Sequence, residues 1–496
     1  MPLVYPDPTQ LDEALARALQ LDQSGQTEAA IVAYQELLRH YPALPDCWYN
    51  LGVLQRRCNR FEEALASYEC ALAYGVDRPE EVHLNRSVIF ADHLRRDAEA
   101  ERELQLALEK NPSYVPALFN YANLHEDLGR REQAARLYER ILELEPRNYE
   151  ALARYANLQQ ADADAGAWIE RLQAALADPR ATAAERASVG FALGRLLDAA
   201  ARYDEAFAVY TAANRASRAS AGLQFVPYDA RAEERYLERI VKVFARPADA
   251  PPIPGGERPI FICGMFRSGS TLLERMLAGH PEVQAGGELA LLARLVAEEL
   301  QPFPERCAAL QESERQRLAE RYLNDLARLY PAGRFVTDKR PDNFWLIGLI
   351  KLLWPQAKII HTVRDPRDVC LSIYFLHLDH RMNYAFELEQ IGRHYSHYRR
   401  LMAHWRSLYG GDILDFDYDT CVREPRAEVA RLLDFLGLPW DERCLAVERR
   451  AGAVKTASVW QVREPLYRRS SGRWRHYARH IDSLNAALGE CGPQRS

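Results

Sequence analysis

Cysteine is sparse and scattered. The chain has nine cysteines in 496 residues, Cys47, Cys58, Cys70, Cys263, Cys307, Cys370, Cys421, Cys444 and Cys491, and no two stand as C-x-x-C. This argues against a disulfide framework and against a zinc site, and leaves most of them as small core residues. Long apolar runs are missing too. No uninterrupted stretch is long enough to span a bilayer, and the opening MPLVYPDPTQ lacks a basic segment followed by an apolar one, so a soluble, cytoplasmic protein is expected. Neither sign of charge dominates: 64 Lys and Arg stand against 70 Asp and Glu, a net charge of −6. No nucleic acid and no membrane are expected as partners. What remains is a globular composition on a chain too long for one ordinary core, so two or three domains are expected.

From about Leu11 to about Ser220 the sequence reads as helices with an internal repeat. Ala30, Ala64, Ala100 and Ala134 recur at nearly constant spacing. Trp48, Leu51 and Gly52 precede Ala64, with Tyr68 and Ala71 after it; Leu118, Tyr121 and Ala122 precede Ala134, with Tyr138, Ile141 and Pro146 after it. Small residues let the two helices of a hairpin pack closely, and Pro42, Pro112 and Pro146 stop the units. Gly190, Leu193, Gly194, Ala206, Tyr210 and Ala213 make a last copy, and Ala151–Ala183 is degenerate. The pattern resembles tetratricopeptide repeats. That resemblance implies an α-helical superhelix over 10–222 whose concave face holds a peptide or a partner protein. The oligomeric state stays open.

A helix over Tyr228–Phe244 is followed by Arg246-Pro-Ala-Asp-Ala-Pro-Pro-Ile-Pro-Gly-Gly, which cannot continue a regular element and marks 223–257 as helix plus linker. A second domain is expected over 258–485. It opens with an apolar strand from Pro259, then Gly264-Met-Phe-Arg-Ser-Gly-Ser-Thr271, then helical periodicity through Leu272, Leu273, Met276 and Leu277. Strand, glycine loop and helix together turn backbone N–H groups toward one point, which suits phosphate or sulfate. The spacing is that of a Walker A loop, except that Ser270 occupies the lysine position. That lysine serves the β- and γ-phosphates of a nucleoside triphosphate, so its absence points to a nucleotide without them. Arg267 restores a cation within the loop.

Further strands are expected at Arg334–Thr337, before Lys339, at Lys358–Arg364, and at Ile413–Phe416; helices are expected at Asn343–Leu353, Arg367–Phe375, Ala385–Tyr409 and Pro425–Leu436. Alternation of this kind implies a parallel sheet covered by helices, with ligands beyond the carboxyl ends of its strands. Arg267, Lys339 and Arg364 all stand at such ends. Each alone could be an ordinary surface ion pair; three together suit a ligand with several anionic groups.

The loop FRSGST, with GGEL at Gly286–Leu289, DKRPDNF at Asp338–Phe344, RDPRDVCLS ending at Ser372, FDYD at Phe416–Asp419, LLDFLGLPW at Leu432–Trp440 and TASVWQVREP at Thr456–Pro465, resembles the sulfotransferases that use 3′-phosphoadenosine 5′-phosphosulfate (PAPS). In detail it is similar to the bacterial branch that also carries tetratricopeptide repeats, and through it to protein-tyrosine sulfotransferases. The likeness runs over about Pro259–Tyr477. It implies an α/β, P-loop-like domain with a central parallel sheet and PAPS as sulfuryl donor, without a metal. Arg267, Ser268, Gly269, Ser270 and Thr271 would hold the 5′-phosphosulfate, and Arg364 and Ser372 the 3′-phosphate. Glu288 would be the general base, Lys339 would stabilise the leaving oxygen, and Ser458 would stand in the same region. Tyr418 and Arg473 align with further donor-binding positions. The basic, aromatic Tyr467–Tyr477 segment suits a flap over the donor as well as it suits nucleic acid. Leu289, Ala290 and Leu291 replace the polar, basic stretch that helps tyrosine-sulfating enzymes hold acidic peptides. Two other readings stand beside this one: a nucleotide kinase with an altered loop, and an inactive domain serving a repeat scaffold.

Overall fold

Every regular element between residues 8 and 144 is a helix. The computed structural model describes residues 8–159, 165–447, 460 and 471–489, and the chain divides into units 1–151 and 152–496. The first unit is built from consecutive hairpins: Pro8–Gln23 with Thr27–His40, Pro45–Arg57 with Phe61–Ala73, Pro79–Val88 (continued by a π turn, Ile89–His93) with Asp97–Lys110, and Val115–Asp127 with Arg131–Leu144. Ala30, Ala64, Ala100 and Ala134 are each fully buried. Within the second hairpin a Cβ added at Gly52 would lie 2.7 Å from the Tyr68 ring, so close approach of the two helices depends on that glycine.

A second repeated feature lies five residues before each alanine. Gly25, Asn59, Arg95 and Gly129 all have positive φ, between 57° and 75°. One left-handed residue reverses the chain in each hairpin, and the strain falls on the two positions that are neither glycine nor asparagine in the wider set, Arg95 here and Ala201 in the second unit, φ 58°.

The second unit contains the hairpin Ala183–Ala199 and Tyr203–Ala221. Its packing repeats that of the first unit: a Cβ at Gly194 would meet the Tyr210 ring at 2.6 Å, and one at Gly190 would meet Ala213 Cβ at 2.8 Å. The hairpin groups with the sheet because it packs on the helix Pro366–Tyr374. Asn214 Nδ2 donates to the Tyr374 carbonyl (2.9 Å), Tyr374 donates from its hydroxyl to Thr211 Oγ1 (3.0 Å), and the Tyr210 and Phe375 rings stack at 4.2 Å. The degenerate stretch still forms helices, Tyr149–Leu158 and Ala165–Ala177.

Among the described residues the sheet has five parallel strands: β1 (Pro259–Gly264), β2 (Val283–Gln284), β3 (Phe335–Lys339), β4 (Ile359–Val363) and β5 (Ile413–Asp417), in the order β2-β3-β1-β4-β5. Every residue of β1 is buried, as its unbroken apolar run requires. On one face Ile260, Ile262, Leu273, Met276 and Ile360 share a core with Val429, Leu432 and Leu433 of the helix Pro425–Leu436. Strand order changes sides about β1, which places a crevice at the carboxyl ends of β1, β3 and β4. The helix expected from Asn343 is a 3₁₀ turn, Pro341–Leu346, followed by an α-helix, Ile347–Leu353. The helix at 230–243 is capped by the Asp229 side chain, which accepts from the N–H groups of Arg231 and Ala232. Among the described residues no helix is long and apolar enough to cross a membrane.

Candidate active site

The glycine loop joins β1 to the helix Ser270–Leu277. It makes its turn through three residues with positive φ: Gly264 at 150°, Arg267 at 73° and Gly269 at 105°. At Gly264 a Cβ would sit 2.4 Å from Thr362 Oγ1, and at Gly269 2.6 Å from the Tyr418 ring, so β4 and the residue after β5 press directly on the loop. Ser268 turns its hydroxyl inward, donating to the Met265 carbonyl (2.5 Å) and bonding Thr362 Oγ1 (2.6 Å). It shapes the loop. Ser270 and Thr271 open the helix and are both buried, and the first-turn N–H groups have no acceptor within the helix itself.

Four of the expected donor-binding residues, Arg267, Ser372, Arg364 and Tyr418, meet around this loop. Arg267 Nε donates to Ser372 Oγ at 3.0 Å, across 105 residues of sequence. Arg364, just beyond β4, sets its guanidinium 4.6 Å from the centre of the Tyr418 ring, with Nη1 3.5 Å from the Arg267 carbonyl. A ring face beneath a guanidinium fixes its plane, and with it the directions of its N–H donors.

On the other side of β1, Lys339 ends β3. It is fully buried, and its Nζ lies 2.8 Å from Glu288 Oε1, whose side chain is 39% exposed. A carboxylate open to solvent and a buried ammonium thus share one spot at the mouth of the crevice. The turn that delivers Glu288 uses all four backbone polar groups of two glycines. Gly286 N donates to Thr337 Oγ1 (2.9 Å) and Gly287 N to Glu274 Oε1 (2.9 Å); the Gly286 carbonyl accepts from Tyr330 OH (3.0 Å) and the Gly287 carbonyl from Lys339 N (2.9 Å). Thr337 Oγ1 in turn donates to Glu274 Oε1 at 2.5 Å. Gly287 has φ 69°, and a Cβ on Gly286 would fall 2.1 Å from the Thr337 carbonyl oxygen. The two glycines in GGEL are therefore a steric requirement.

Asp338 points to the opposite face of β3 from Lys339. It is fully buried, accepting from Tyr322 OH at 2.7 Å and from Asn343 Nδ2 at 3.1 Å. Burial pushes its carboxyl up to about 6, and those two hydrogen bonds only partly oppose this. The folded value is raised above the unfolded one, so the stability linked to Asp338 is complete below about pH 4 and is lost as pH rises through about 6. The loss amounts to roughly 3 kcal/mol. Thermal melts between pH 4 and pH 7 are expected to show this fall, and Asp338→Asn is expected to flatten it; an unchanged pH profile in the variant would refute the assignment.

Arg473 meets the helical hairpin of the second unit. Its guanidinium pairs with Asp198 of the hairpin helix Ala183–Ala199, Nη2 to Oδ2 at 2.7 Å, and lies 5.2 Å from the Phe375 ring centre. The hydroxyl of buried Tyr477 donates to the same Asp198. Asp368 accepts from the N–H groups of Gly472 (2.6 Å) and Trp474 (2.8 Å), tying this segment to the helix that carries Ser372. Ser458 and residues 461–470 lie outside the described residues. Sequence reasoning passed over Glu274, Thr337 and Tyr330. A carboxylate one turn into the helix that follows the glycine loop was the available signal for Glu274, but its partners lie on other elements.

Residues 259–442 match the model of the sulfotransferase family, and residues 14–43, 47–80 and 115–158 match tetratricopeptide-repeat models. An uncharacterized protein of Aquifex aeolicus is 31% identical over 431 residues, 84% of this chain and 55% of the relative. Protein-tyrosine sulfotransferase 1 of Danio rerio is 26% identical over 247 residues, 43% of this chain and 65% of that protein. Protein-tyrosine sulfotransferase A of Caenorhabditis elegans is 24% identical over 212 residues, 39% and 53% respectively. The chain thus spans between about half and two-thirds of the length of these relatives. Among solved structures, the sulfotransferase domain from the Synechococcus PCC 7002 olefin synthase is 24% identical, covers 51% of this chain and 98% of its own, and has a TM-score of 0.36.

Proposed function

Because residues 259–442 carry a sulfotransferase-family domain in a chain that also carries tetratricopeptide repeats, we propose that the protein transfers a sulfuryl group from PAPS to a hydroxyl acceptor. The observation that carries this reading is the lysine-free loop held between Arg267–Ser372 on one side and Arg364 over Tyr418 on the other. The residues present suit such a donor. Helix-start N–H groups and Arg267 would meet the 5′-phosphosulfate, while Arg364 and Ser372 would meet the 3′-phosphate.

In the transfer, Glu288 accepts the acceptor's hydroxyl proton as that oxygen attacks sulfur. The new O–S bond forms as the bond from sulfur to the bridging oxygen breaks, and adenosine 3′,5′-bisphosphate leaves with the electron pair. Lys339 neutralises the charge that builds on the bridging oxygen. Relatives named for protein tyrosine, together with the repeats, favour a protein or peptide hydroxyl as acceptor, with tyrosine the first candidate and the repeats recruiting it. Titration with adenosine 3′,5′-bisphosphate tests the donor assignment. Binding is expected to exceed that of ATP, and Arg364→Ala is expected to weaken it roughly 100-fold by removing a charge-assisted phosphate contact. Preference for ATP, or indifference to Arg364→Ala, would overturn the reading.

A further inference from the structure

We infer that Glu274 and Thr337 are positioning residues which hold the proton-accepting Glu288 in register with the glycine loop; this rests on the transferase reading above. Glu274 belongs to the helix Ser270–Leu277, whose first turn closes that loop. Its side chain is 7% exposed, and a single oxygen, Oε1, accepts from both Gly287 N (2.9 Å) and Thr337 Oγ1 (2.5 Å). Thr337, with no exposed surface, then accepts from Gly286 N (2.9 Å). One residue beyond these two amides stands Glu288. Two residues beyond Thr337 stands its ion-pair partner Lys339, whose own N–H donates to the Gly287 carbonyl.

Glu274 Oε1 and Thr337 Oγ1 are engaged by backbone amides and by each other. Their effect is geometric. A Gly-Gly turn has wide backbone freedom, and without fixed partners Glu288 would sample positions away from Lys339. The carboxylate on the loop helix removes that freedom, so anion-binding backbone and base move as one body. A misplacement of about 1 Å at a reacting group is enough to cost about 10²-fold in rate.

The test uses the full chain, with turnover, adenosine 3′,5′-bisphosphate affinity and melting temperature measured together. Glu274→Ala is expected to lower kcat between about 10-fold and 100-fold, with bisphosphate Kd within about threefold of wild type, because the loop keeps its own contacts. Glu274→Gln keeps an oxygen acceptor and is expected to recover most of the lost kcat. Thr337→Val preserves shape and is expected to lower kcat in the same direction, and the double variant is expected to fall short of the product of the two singles, as residues of one network do. If Glu274→Ala does not fold, Thr337→Val decides: a kcat equal to wild type overturns the inference. So does a Glu274→Ala protein that loses bisphosphate affinity and kcat in equal proportion, which is the mark of general loosening. A wild-type protein that neither binds the bisphosphate nor turns over would instead sink the transferase reading itself.

Discussion

Lys339→Ala is expected to lower kcat for sulfuryl transfer about 10²- to 10³-fold, the loss typical of removing one preorganised cation from a developing oxyanion. Adenosine 3′,5′-bisphosphate should still bind within a few-fold of wild type, since Arg267, Arg364 and Ser372 are assembled on the other side of β1. The fold should survive. Lys339 is fully buried, but its partner Glu288 has a 39% exposed side chain and can take up water when the ammonium is gone. Single-turnover kinetics with a labelled donor, alongside a bisphosphate titration, separates the two quantities. A fall in kcat of less than tenfold would remove Lys339 from the leaving-group role, and a matching loss of affinity would make it a binding residue.

Gly286→Ala is expected to be the most damaging conservative substitution at the site. The added methyl would meet the Thr337 carbonyl oxygen at 2.1 Å, and that oxygen belongs to the central part of β3 and cannot swing aside as a side chain could. The turn must move, breaking some of the four hydrogen bonds made by Gly286 and Gly287. A destabilisation of about 3 kcal/mol is expected, at the upper end of overpacking costs. Denaturant unfolding followed by tryptophan fluorescence measures it, and turnover should fall with the displacement of Glu288. A variant with wild-type stability would mean that β3 tolerates the shift.

The contrast with Gly52 and Gly194 is informative. There an added Cβ meets an aromatic ring, of Tyr68 or Tyr210. Those glycines set how closely helices pack, whereas Gly286 sets where one carboxylate stands. Both kinds are plain letters in the sequence, and only the atoms facing them tell the two roles apart.

Much was legible before any coordinates. The repeat column of alanines, the strand run before Gly264, the missing loop lysine and the cations at Arg267, Lys339 and Arg364 are local or periodic signals, and a residue's neighbours in sequence suffice to read them. The strand β2, two residues long, carries no period. The helix Glu312–Leu329, which brings Tyr322 to Asp338, had no motif to draw attention to it. Arg473 stands in a basic, aromatic stretch, and nothing near it in sequence points to its partner Asp198, 275 residues earlier. Charge pattern states that a cation is present; which anion it meets depends on chain crossings that no local pattern encodes.

By itself, then, the sequence determined the kinds of element and the chemistry carried at strand ends, because helix period, strand burial and loop composition act over a few residues. The tertiary structure alone decided which of those ends meet. It brought Arg267 to Ser372, set Arg364 over Tyr418, and placed the Glu274 carboxylate behind the turn that holds Glu288 against Lys339. Those pairings depend on the parallel register of β1 with β3 and β4, a long-range property fixed by how the whole sheet buries its apolar faces.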